Sequence, residues 1–361
     1  MGFLGLEHLS GRAAAARGGT LLWPEPPNMT NIVLLCPGQG AQAVGMAKAW
    51  YDAHPHAKAV LDEADSIFAG SAASHSVGGR TLTDIAFNGP IDVLSRTDLS
   101  QPALFAAAVA CHRALPAALL GLKMRAVAGL SLGEYTALHL AGAFSFEDGL
   151  RLVMRRGQLM QQAAEASRGG MVALIGADEA QANEVCTRTL AAGGAGECLV
   201  PANFNAPGQI VISGSLEACD RALTVAGEVG VRATKLQVAG AFHSPLMAPA
   251  AEKLAEALAA VEIRPLQTEV WSNVTAQPHR TEGDAAANAQ LLRQLLVDQL
   301  VSPVRWSQSC ANLLAVLAAE GTRATTAFHE LAPNTVLKGL MRRIDKTCEV
   351  VPHDAPTQDN P

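Results

Sequence analysis

A serine that could act as a nucleophile lies between two glycines in the stretch AGLSLGEYTAL, residues 128–138. The apolar residues before Ser131 predict a short buried strand, and the residues after it predict a helix. Gly129 and Gly133 remove side chains that would crowd this turn, so the hydroxyl is exposed beside the free N–H groups of the helix start. Such groups stabilise negative charge. Two interpretations remain open at this point: a catalytic serine, or an ordinary serine in a glycine-rich β–α turn.

A catalytic serine needs a base within hydrogen-bond distance, and the chain contains ten histidines. Most of them fall in polar loops or terminal segments; His279 follows a proline in a loop, and His353 lies in a predicted C-terminal tail. His139 is on the helix after Ser131 and faces away from it by its spacing. His243 differs, because the stretch GAFHSPLM places it at a turn directly after a predicted strand. We therefore predict His243 as the base, with a capping or packing histidine as the alternative.

The stretch PGQGAQ, residues 37–42, predicts a second strand–turn–helix. Gly38 and Gly40 permit close approach of the backbone, so the N–H of Gln39 is a candidate donor to an oxyanion. A phosphate-binding P-loop is excluded because no Gly-Lys-Ser/Thr follows, and a dinucleotide-binding loop is excluded because Ala43 replaces the third glycine. Both nucleotide-binding interpretations therefore fail.

The order of the predicted elements indicates an α/β protein in which a small domain is inserted into a large one. Residues 168–235 show the β-α-β-β-α-β order of a ferredoxin-like unit. Residues 29–167 and 236–351 form the large domain around this insertion, whereas residues 1–28 and 352–361 predict a disordered extension and a disordered tail. We expect the active site in the cleft between the two domains.

The composition of the chain limits the classes of function. It has 361 residues, 49% of them hydrophobic, and a net charge of −6 without a block of like charges, which argues against a nucleic-acid-binding protein. No run approaches the ~20 apolar residues that span a bilayer. Seven dispersed cysteines without a C-x-x-C pair indicate reduced thiols in a cytoplasmic protein. An organellar transit peptide in residues 1–28 is the alternative, and Glu7 and the short length argue against it.

Eight motifs occur in one order between Asn31 and Arg343: PGQGAQ, QPALF, GLSLGEYTAL, MRRGQLMQ, NFNAPGQIVISG, FHSPLM, NVTA and SPVRW. Together they resemble the malonyl-CoA:acyl carrier protein transacylases of fatty acid synthesis and the related acyltransferase domains of polyketide synthases. The resemblance implies an α/β-hydrolase-like large domain with an inserted ferredoxin-like domain, in agreement with the order of elements above. The residues before Met29 lie outside the resemblance.

The resemblance also implies the roles of the reacting groups. Ser131 would be the acylated nucleophile, and His243 would be its general base and acid. The backbone N–H groups of Leu132 and Gln39 would form the oxyanion hole.

Further residues match the family's substrate pocket. Arg156 matches a carboxylate-binding arginine, and a guanidinium fork can hold both oxygens of a malonyl carboxylate; without the resemblance, a surface arginine is favoured. Gln101 and Gln299 match glutamines that line the pocket, and a main-chain carbonyl near Gln299 would orient the histidine. Phe242 would crowd a methyl branch and so favours malonyl over methylmalonyl by ~1–3 kcal/mol. Leu130 stands where many relatives have histidine and leaves these roles unchanged.

The activity that the resemblance implies is transfer of a malonyl group from malonyl-CoA to the phosphopantetheine thiol of acyl carrier protein, for fatty acid or polyketide synthesis. It would proceed through a malonyl-serine intermediate with ping-pong kinetics. We expect a monomer that needs no metal or redox cofactor and has no nucleic acid or membrane partner. Acyl carrier proteins are acidic, so basic residues are candidate contacts: Arg155, Lys235, Lys338, Arg342 and Arg343.

Two other functions compete with this one. A serine esterase or thioesterase of α/β-hydrolase type would use the same G-x-S-x-G turn, but such enzymes place an acid and then a histidine after the serine. No acid partner is obvious here, and His329 or His353 would have to serve as the base. A non-catalytic docking scaffold is disfavoured, because all four predicted catalytic and carboxylate-binding residues are present together.

Overall fold

The computed structural model describes residues 29–356, so the predicted extension 1–28 and residues 357–361 of the predicted tail lie outside the described residues. The strands are β1 (Asn31–Cys36), β2 (Lys123–Gly129), β3 (Gly169–Ile175), β4 (Leu199–Ala206), β5 (Gln209–Ser215), β6 (Arg232–Lys235), β7 (Glu269–Trp271), β8 (Thr326–Leu331) and β9 (Val350–His353). The helices are α1 (Lys48–Ala53), α2 (Pro55–Phe68), α3 (Ala72–Ser76), α4 (Leu82–Asn88), α5 (Ile91–Leu94), α6 (Thr97–Arg113), α7 (Ala117–Leu120), α8 (Gly133–Leu140), α9 (Phe146–Ala166), α10 (Glu179–Ala191), α11 (Leu216–Val229), α12 (Ala248–Ala259), α13 (Ala285–Asp298), α14 (Trp306–Ala319) and α15 (Val336–Ile344). Two short 3₁₀ helices lie at Pro245–Met247 and Arg323–Thr325.

Five strands form a parallel sheet in the order β7-β2-β1-β8-β9. The central strand β1 is buried along its whole length, as expected for a parallel sheet covered on both faces. Its side chains alternate between two cores, with Ile32 and Leu34 on one face and Val33 on the other. Cys36 pairs with Gly129 at the carboxyl ends of β1 and β2, so the loops that follow these strands meet at one edge of the sheet.

The second sheet has four antiparallel strands in the order β4-β5-β3-β6. Its elements follow in the chain as β3, α10, β4, β5, α11 and β6, which is the predicted β-α-β-β-α-β order. It has a core of its own, which includes Val172, Val185 and Ile212. The predicted fold class is therefore confirmed: a parallel α/β domain is interrupted by a smaller antiparallel one.

Two backbone hydrogen bonds join the antiparallel sheet to the large domain. The N–H of Phe204 donates to the carbonyl of Val304 (2.8 Å), and the N–H of Val304 donates to the carbonyl of Ala202 (2.8 Å). Strand β4 therefore lies against the segment before α14. This contact holds the small domain over the carboxyl edge of the parallel sheet, and a cleft lies between the two domains.

Helix α9 begins at a capped end and packs closely on α6. The Ser145 hydroxyl accepts a hydrogen bond from the N–H of Asp148 (3.0 Å), which satisfies a free donor of the first turn. Further along, a Cβ on Gly157 would lie 2.6 Å from the carbonyl oxygen of Thr97. Glycine thus lets the two helices approach, and this contact fixes the position of the preceding residue, Arg156.

The predicted C-terminal tail begins too early. Strand β9 includes Pro352 and His353, and His353 pairs with Leu331 of β8. His353 is buried: its Nε2 lies 2.8 Å from Nδ1 of His329, and its carbonyl accepts a hydrogen bond from Trp50 Nε1 (3.0 Å). The prediction of disorder was wrong for residues 352 and 353, because pairing with β8 orders both residues and neighbouring elements bury His353.

Candidate active site

The turn that carries Ser131 is built from close contacts that only glycine permits. A Cβ on Gly129 would lie 1.9 Å from the carbonyl carbon of Gly133, and a Cβ on Gly133 would lie 2.1 Å from the carbonyl oxygen of Cys36. Ser131 itself has φ of 52°, in the left-handed region that costs a non-glycine residue ~1–2 kcal/mol. The predicted strand–turn–helix is present, and the strained turn directs the serine hydroxyl into the cleft.

His243 lies next to this hydroxyl. The Ser131 Oγ is 2.9 Å from His243 Nε2, and His243 Nδ1 is 2.8 Å from the main-chain carbonyl oxygen of Gln299. Because a carbonyl can only accept, Nδ1 carries the proton and Nε2 is left to accept from the serine. Burial, and secondarily the positive charge of Arg156, lower the pKa of His243 to about 4. The imidazole is therefore neutral at pH 7 and able to take a proton.

Arg156 is buried beside the nucleophile, with 1% of its surface exposed, so the interpretation as a surface arginine is wrong. Its Nη1 donates to Gln101 Oε1 (2.8 Å), and its Nη2 donates to Gln299 Oε1 (2.9 Å) and to Ser131 Oγ (3.0 Å). These three acceptors are uncharged. No carboxylate forms an ion pair with this guanidinium within residues 29–356. Its burial lowers the pKa of the side chain, and the nearby Tyr135 and Glu134 side chains oppose this shift.

The sequence predicts that Gln101 and Gln299 line the cleft, and the structure shows that they do not. Both are fully buried behind Arg156 and orient its guanidinium. Gln299 has a second function through its backbone, since its carbonyl oxygen is the acceptor that fixes the His243 tautomer. These residues hold the groups that face the cleft.

The two predicted oxyanion donors belong to the two loops that meet at the cleft. Gln39 and Ser131 both line the cleft, and Leu132 follows Ser131 in the chain. Within the described part of the chain, neither backbone N–H has a hydrogen-bond acceptor. Close packing brings the loops together, because a Cβ on Gly38 would lie 2.2 Å from the carbonyl oxygen of Leu130. The predicted helix that follows this loop is present: turns come first, and α1 begins at Lys48.

The cleft has a volume of about 420 Å³, within the range of small-molecule sites. The large domain contributes Ser131, Arg156 and Phe242, the residue that the resemblance expects to limit the acyl group. The small domain contributes Asn203 and Asn205 of β4. The cleft thus lies between the two domains, where the sequence placed it.

Three buried polar residues beneath the site were missed. Glu134, Asn273 and His279 form a hydrogen-bonded group under the Ser131 turn. The sequence places His279 in a loop, and it places Asn273 only within the motif NVTA, so neither residue is assigned a role there. The one available signal was Glu134, the single acidic residue of α8, which lies in the first turn of that helix.

Among residues 29–356 no group of His, Cys, Asp or Glu side chains is arranged to hold a metal ion. In the same part of the chain, no helix has the length and apolar character required to cross a bilayer.

Comparisons with known proteins agree with this geometry. The family model of the acyl transferase domain matches residues 33–360. The chain is 37% identical over 324 residues to the malonyl CoA-acyl carrier protein transacylase of Bacillus subtilis, covering 90% of this chain and 93% of that protein.

Solved structures show the same architecture. The malonyl-CoA:acyl carrier protein transacylase of Xanthomonas oryzae superposes with a TM-score of 0.78 at 41% identity, covering 91% of this chain and 96% of that one. A malonyl-transacylase in complex with a type II polyketide synthase acyl carrier protein superposes with a TM-score of 0.77 at 34% identity, covering 90% and 96%.

Proposed function

The chain belongs to the acyl transferase family, and from that premise we propose that it transfers a malonyl group from malonyl-CoA to the phosphopantetheine thiol of an acyl carrier protein. The choice of a malonyl group rests on one observation: Arg156 is a buried cation next to Ser131. The hydrogen-bond acceptors of Arg156 in residues 29–356 are all uncharged. A buried charge without a partner costs several kcal/mol. The free carboxylate of a malonyl group supplies that partner, and an acetyl group does not.

In the first half-reaction, the Ser131 hydroxyl attacks the thioester carbonyl while His243 Nε2 takes its proton. The negative oxygen of the tetrahedral intermediate lies between the N–H groups of Leu132 and Gln39. Collapse of the intermediate breaks the carbon–sulfur bond, and CoA leaves as a thiol with the proton from His243. Arg156 holds the malonyl carboxylate throughout.

In the second half-reaction, the phosphopantetheine thiol attacks the malonyl ester of Ser131. His243 takes the thiol proton and returns it to the Ser131 oxygen as the ester bond breaks. The products are malonyl-carrier protein and the free enzyme, so the kinetics are ping-pong. Each step needs proton transfer and charge stabilisation alone, and we propose that no metal or redox cofactor takes part.

The esterase alternative is less consistent with the site. The His243 ring is oriented by a main-chain carbonyl at 2.8 Å, whereas the α/β-hydrolase arrangement uses a carboxylate. His329 and His353, the other candidate bases, pack against each other in a separate buried pair. A hydrolase for uncharged esters also has no use for a buried arginine beside its nucleophile.

The carrier protein would dock at the side of the cleft formed by α15. Val336 and Leu340 of this helix line the cleft, and the exposed side chains of Lys338, Arg342 and Arg343 lie on the same helix. An acidic partner would complement these charges.

Two other candidate cations support such docking less well. Lys235 is already paired with Asp220 (2.6 Å), and Arg155 donates to the side chain of Gln158 (2.9 Å). From the stand-alone members of the family that it resembles, we further propose that the chain acts as a monomer in the cytoplasm.

Intact-protein mass spectrometry tests the proposed intermediate. After brief incubation with malonyl-CoA, we expect a malonyl-sized adduct that disappears when holo acyl carrier protein is added. Ser131→Ala should form none, whereas the control Ser95→Ala, which changes another cleft-lining serine, should form it normally. Release of CoA without an adduct in the parent protein would favour the hydrolase instead.

A further inference from the structure

A buried carboxylate lies beneath the active site and is fully hydrogen-bonded. Glu134 is 1% exposed, and its side chain does not reach the cleft. Its Oε1 is 2.8 Å from His279 Nε2, and its Oε2 accepts from Gln299 Nε2 (2.6 Å) and from the backbone N–H of Asn273 (3.1 Å). With three donors on two oxygens, this carboxylate is held in one orientation.

Glu134 determines which way the Gln299 amide points. The amide nitrogen donates to Glu134 and to the main-chain oxygen of Ser131 (3.1 Å), and the amide oxygen accepts from Arg156 (2.9 Å). A carboxylate can only accept and a guanidinium can only donate. A reversed amide would therefore place two acceptors together at Glu134 and two donors together at Arg156.

A second connection runs from Glu134 to the backbone of the nucleophile. The N–H of Asn273 donates to Glu134, and the Asn273 side chain accepts from the N–H of Ser131 (2.6 Å) and donates to the carbonyl of Gly129 (2.7 Å). The carboxylate thus supports both the carboxylate-binding arginine and the strained turn.

We propose that Glu134 is a positioning residue for acyl-group selection: held by His279, it orients the Gln299 amide, which in turn orients Arg156 toward a carboxylate on the acyl group. This inference rests on the proposed function. The effect through Gln299 is specific to acyl groups that carry a carboxylate, because the His243 tautomer depends on the Gln299 main chain and is unchanged when the side-chain amide turns. The connection through Asn273 to the Ser131 turn acts equally on all acyl groups.

A positioning role and a merely structural role of Glu134 predict different effects on acylation by the two acyl donors. If Glu134 only supported the fold, its loss would slow acylation by malonyl-CoA and acetyl-CoA equally. If it positions Arg156, its loss lowers the ratio of malonyl to acetyl acylation by about tenfold, the effect of one hydrogen bond to a charged group.

A double-mutant cycle on the full chain tests this with single-turnover acylation of Ser131, measured with malonyl-CoA and with acetyl-CoA. Glu134→Ala and Gln299→Met should each lower the ratio about tenfold, and the double variant should lower it no further, because both act through one amide. Glu134→Gln, which keeps an acceptor facing Gln299, should retain the parent ratio.

Two further variants serve as a negative control and as an independent test of the role of Glu134. Glu165→Ala removes an exposed glutamate that contacts Gln161 in a similar amide–carboxylate pair (2.8 Å) and should change nothing. His279→Leu removes the donor to Oε1 with little change in volume, and it should lower the ratio even if Glu134→Ala fails to fold.

The outcomes distinguish this proposal from the one on which it rests. Equal slowing with both acyl groups, or additive effects of Glu134→Ala and Gln299→Met on the ratio, would overturn the role of Glu134 alone. A parent protein that forms no malonyl adduct on Ser131 would overturn the proposed function and this inference together.

Discussion

Replacing Arg156 by alanine should remove the preference for malonyl-CoA with little effect on the chemistry itself. The guanidinium is buried, and its described contacts are neutral oxygens of Gln101, Gln299 and Ser131. A malonyl carboxylate would thus be the counter-ion of a desolvated charge. Charge-assisted hydrogen bonds contribute ~1.5–3 kcal/mol each, so a two-bond fork contributes ~3–6 kcal/mol. At ~1.4 kcal/mol per tenfold, kcat/KM for malonyl-CoA should fall ~100- to 20,000-fold.

The assay is steady-state transfer to a holo acyl carrier protein with malonyl-CoA and acetyl-CoA as alternative donors. For acetyl-CoA the change should stay within about tenfold, because Arg156→Ala then removes only the contact to Ser131 Oγ, one hydrogen bond. Arg155→Ala is the matched control, since the neighbouring guanidinium is bonded to Gln158 instead. An equal loss with both donors would refute the reasoning, because Arg156 would then act on the serine rather than on the substrate carboxylate.

Four further outcomes follow from the geometry. With its pKa lowered to about 4, His243 should keep single-turnover acylation level at neutral pH, and the rate should fall as the pH drops through about 4; a fall near the ordinary histidine value would contradict this. Ser131→Gly should be more stable to urea than Ser131→Ala by ~1 kcal/mol, since glycine relieves the left-handed strain, and equal midpoints would disprove the strain. Phe242→Ser should raise methylmalonyl relative to malonyl acylation about tenfold in a competition assay, and an unchanged ratio would show that the ring does not limit the acyl group. Burial lowers the pKa values of His329 and His353 from 6.5 to about 3 and about 4, so the unfolded chain binds more protons than the folded chain. The stabilisation by these two histidines is complete above pH 6.5 and is lost as the pH falls toward 4. The fall in Tm on acidification should therefore be smaller in His329→Gln, and an unchanged fall would exclude the pair as its cause.

The turn that carries the candidate nucleophile, Ser131, could be predicted from the sequence because the signal for it is local. Ser131 is surrounded by glycines whose missing side chains are required within the turn itself, as the 1.9 Å and 2.1 Å distances at Gly129 and Gly133 show. The inserted domain was equally predictable, since each element of its β-α-β-β-α-β order corresponds to a short segment with a strand-like or helix-like pattern of apolar residues. In both cases the physical cause and the sequence pattern lie within a few residues of each other.

The surroundings of the nucleophile could not be found in this way. The group that orients His243 is a main-chain carbonyl 56 residues away, at Gln299, and every residue of the chain has such a carbonyl. Arginine is usually exposed, and the partners that bury Arg156 are 55 and 143 residues distant. Here the resemblance to a family supplied the roles, and only the folded structure supplied the distances.

Three features that lower the stability of the fold lie around one atom, the hydroxyl oxygen of Ser131. Ser131 and His243 both have left-handed backbones, with φ of 52° and 57°, and Arg156 is a buried cation to which no carboxylate of the described residues is hydrogen-bonded. His243 Nε2 and Arg156 Nη2 lie 2.9 Å and 3.0 Å from Ser131 Oγ. Local rules are broken in this way where function requires it.

The arginine also links acyl-group binding to base strength. Its charge adds to burial in lowering the pKa of His243, and a carboxylate bound to Arg156 would cancel much of that field. His243 is then a stronger base with a malonyl group in the cleft than with the cleft empty. Because kcat reports the bound enzyme and kcat/KM the free enzyme, the acid limb of kcat for malonyl-CoA should lie at higher pH than the acid limb of kcat/KM.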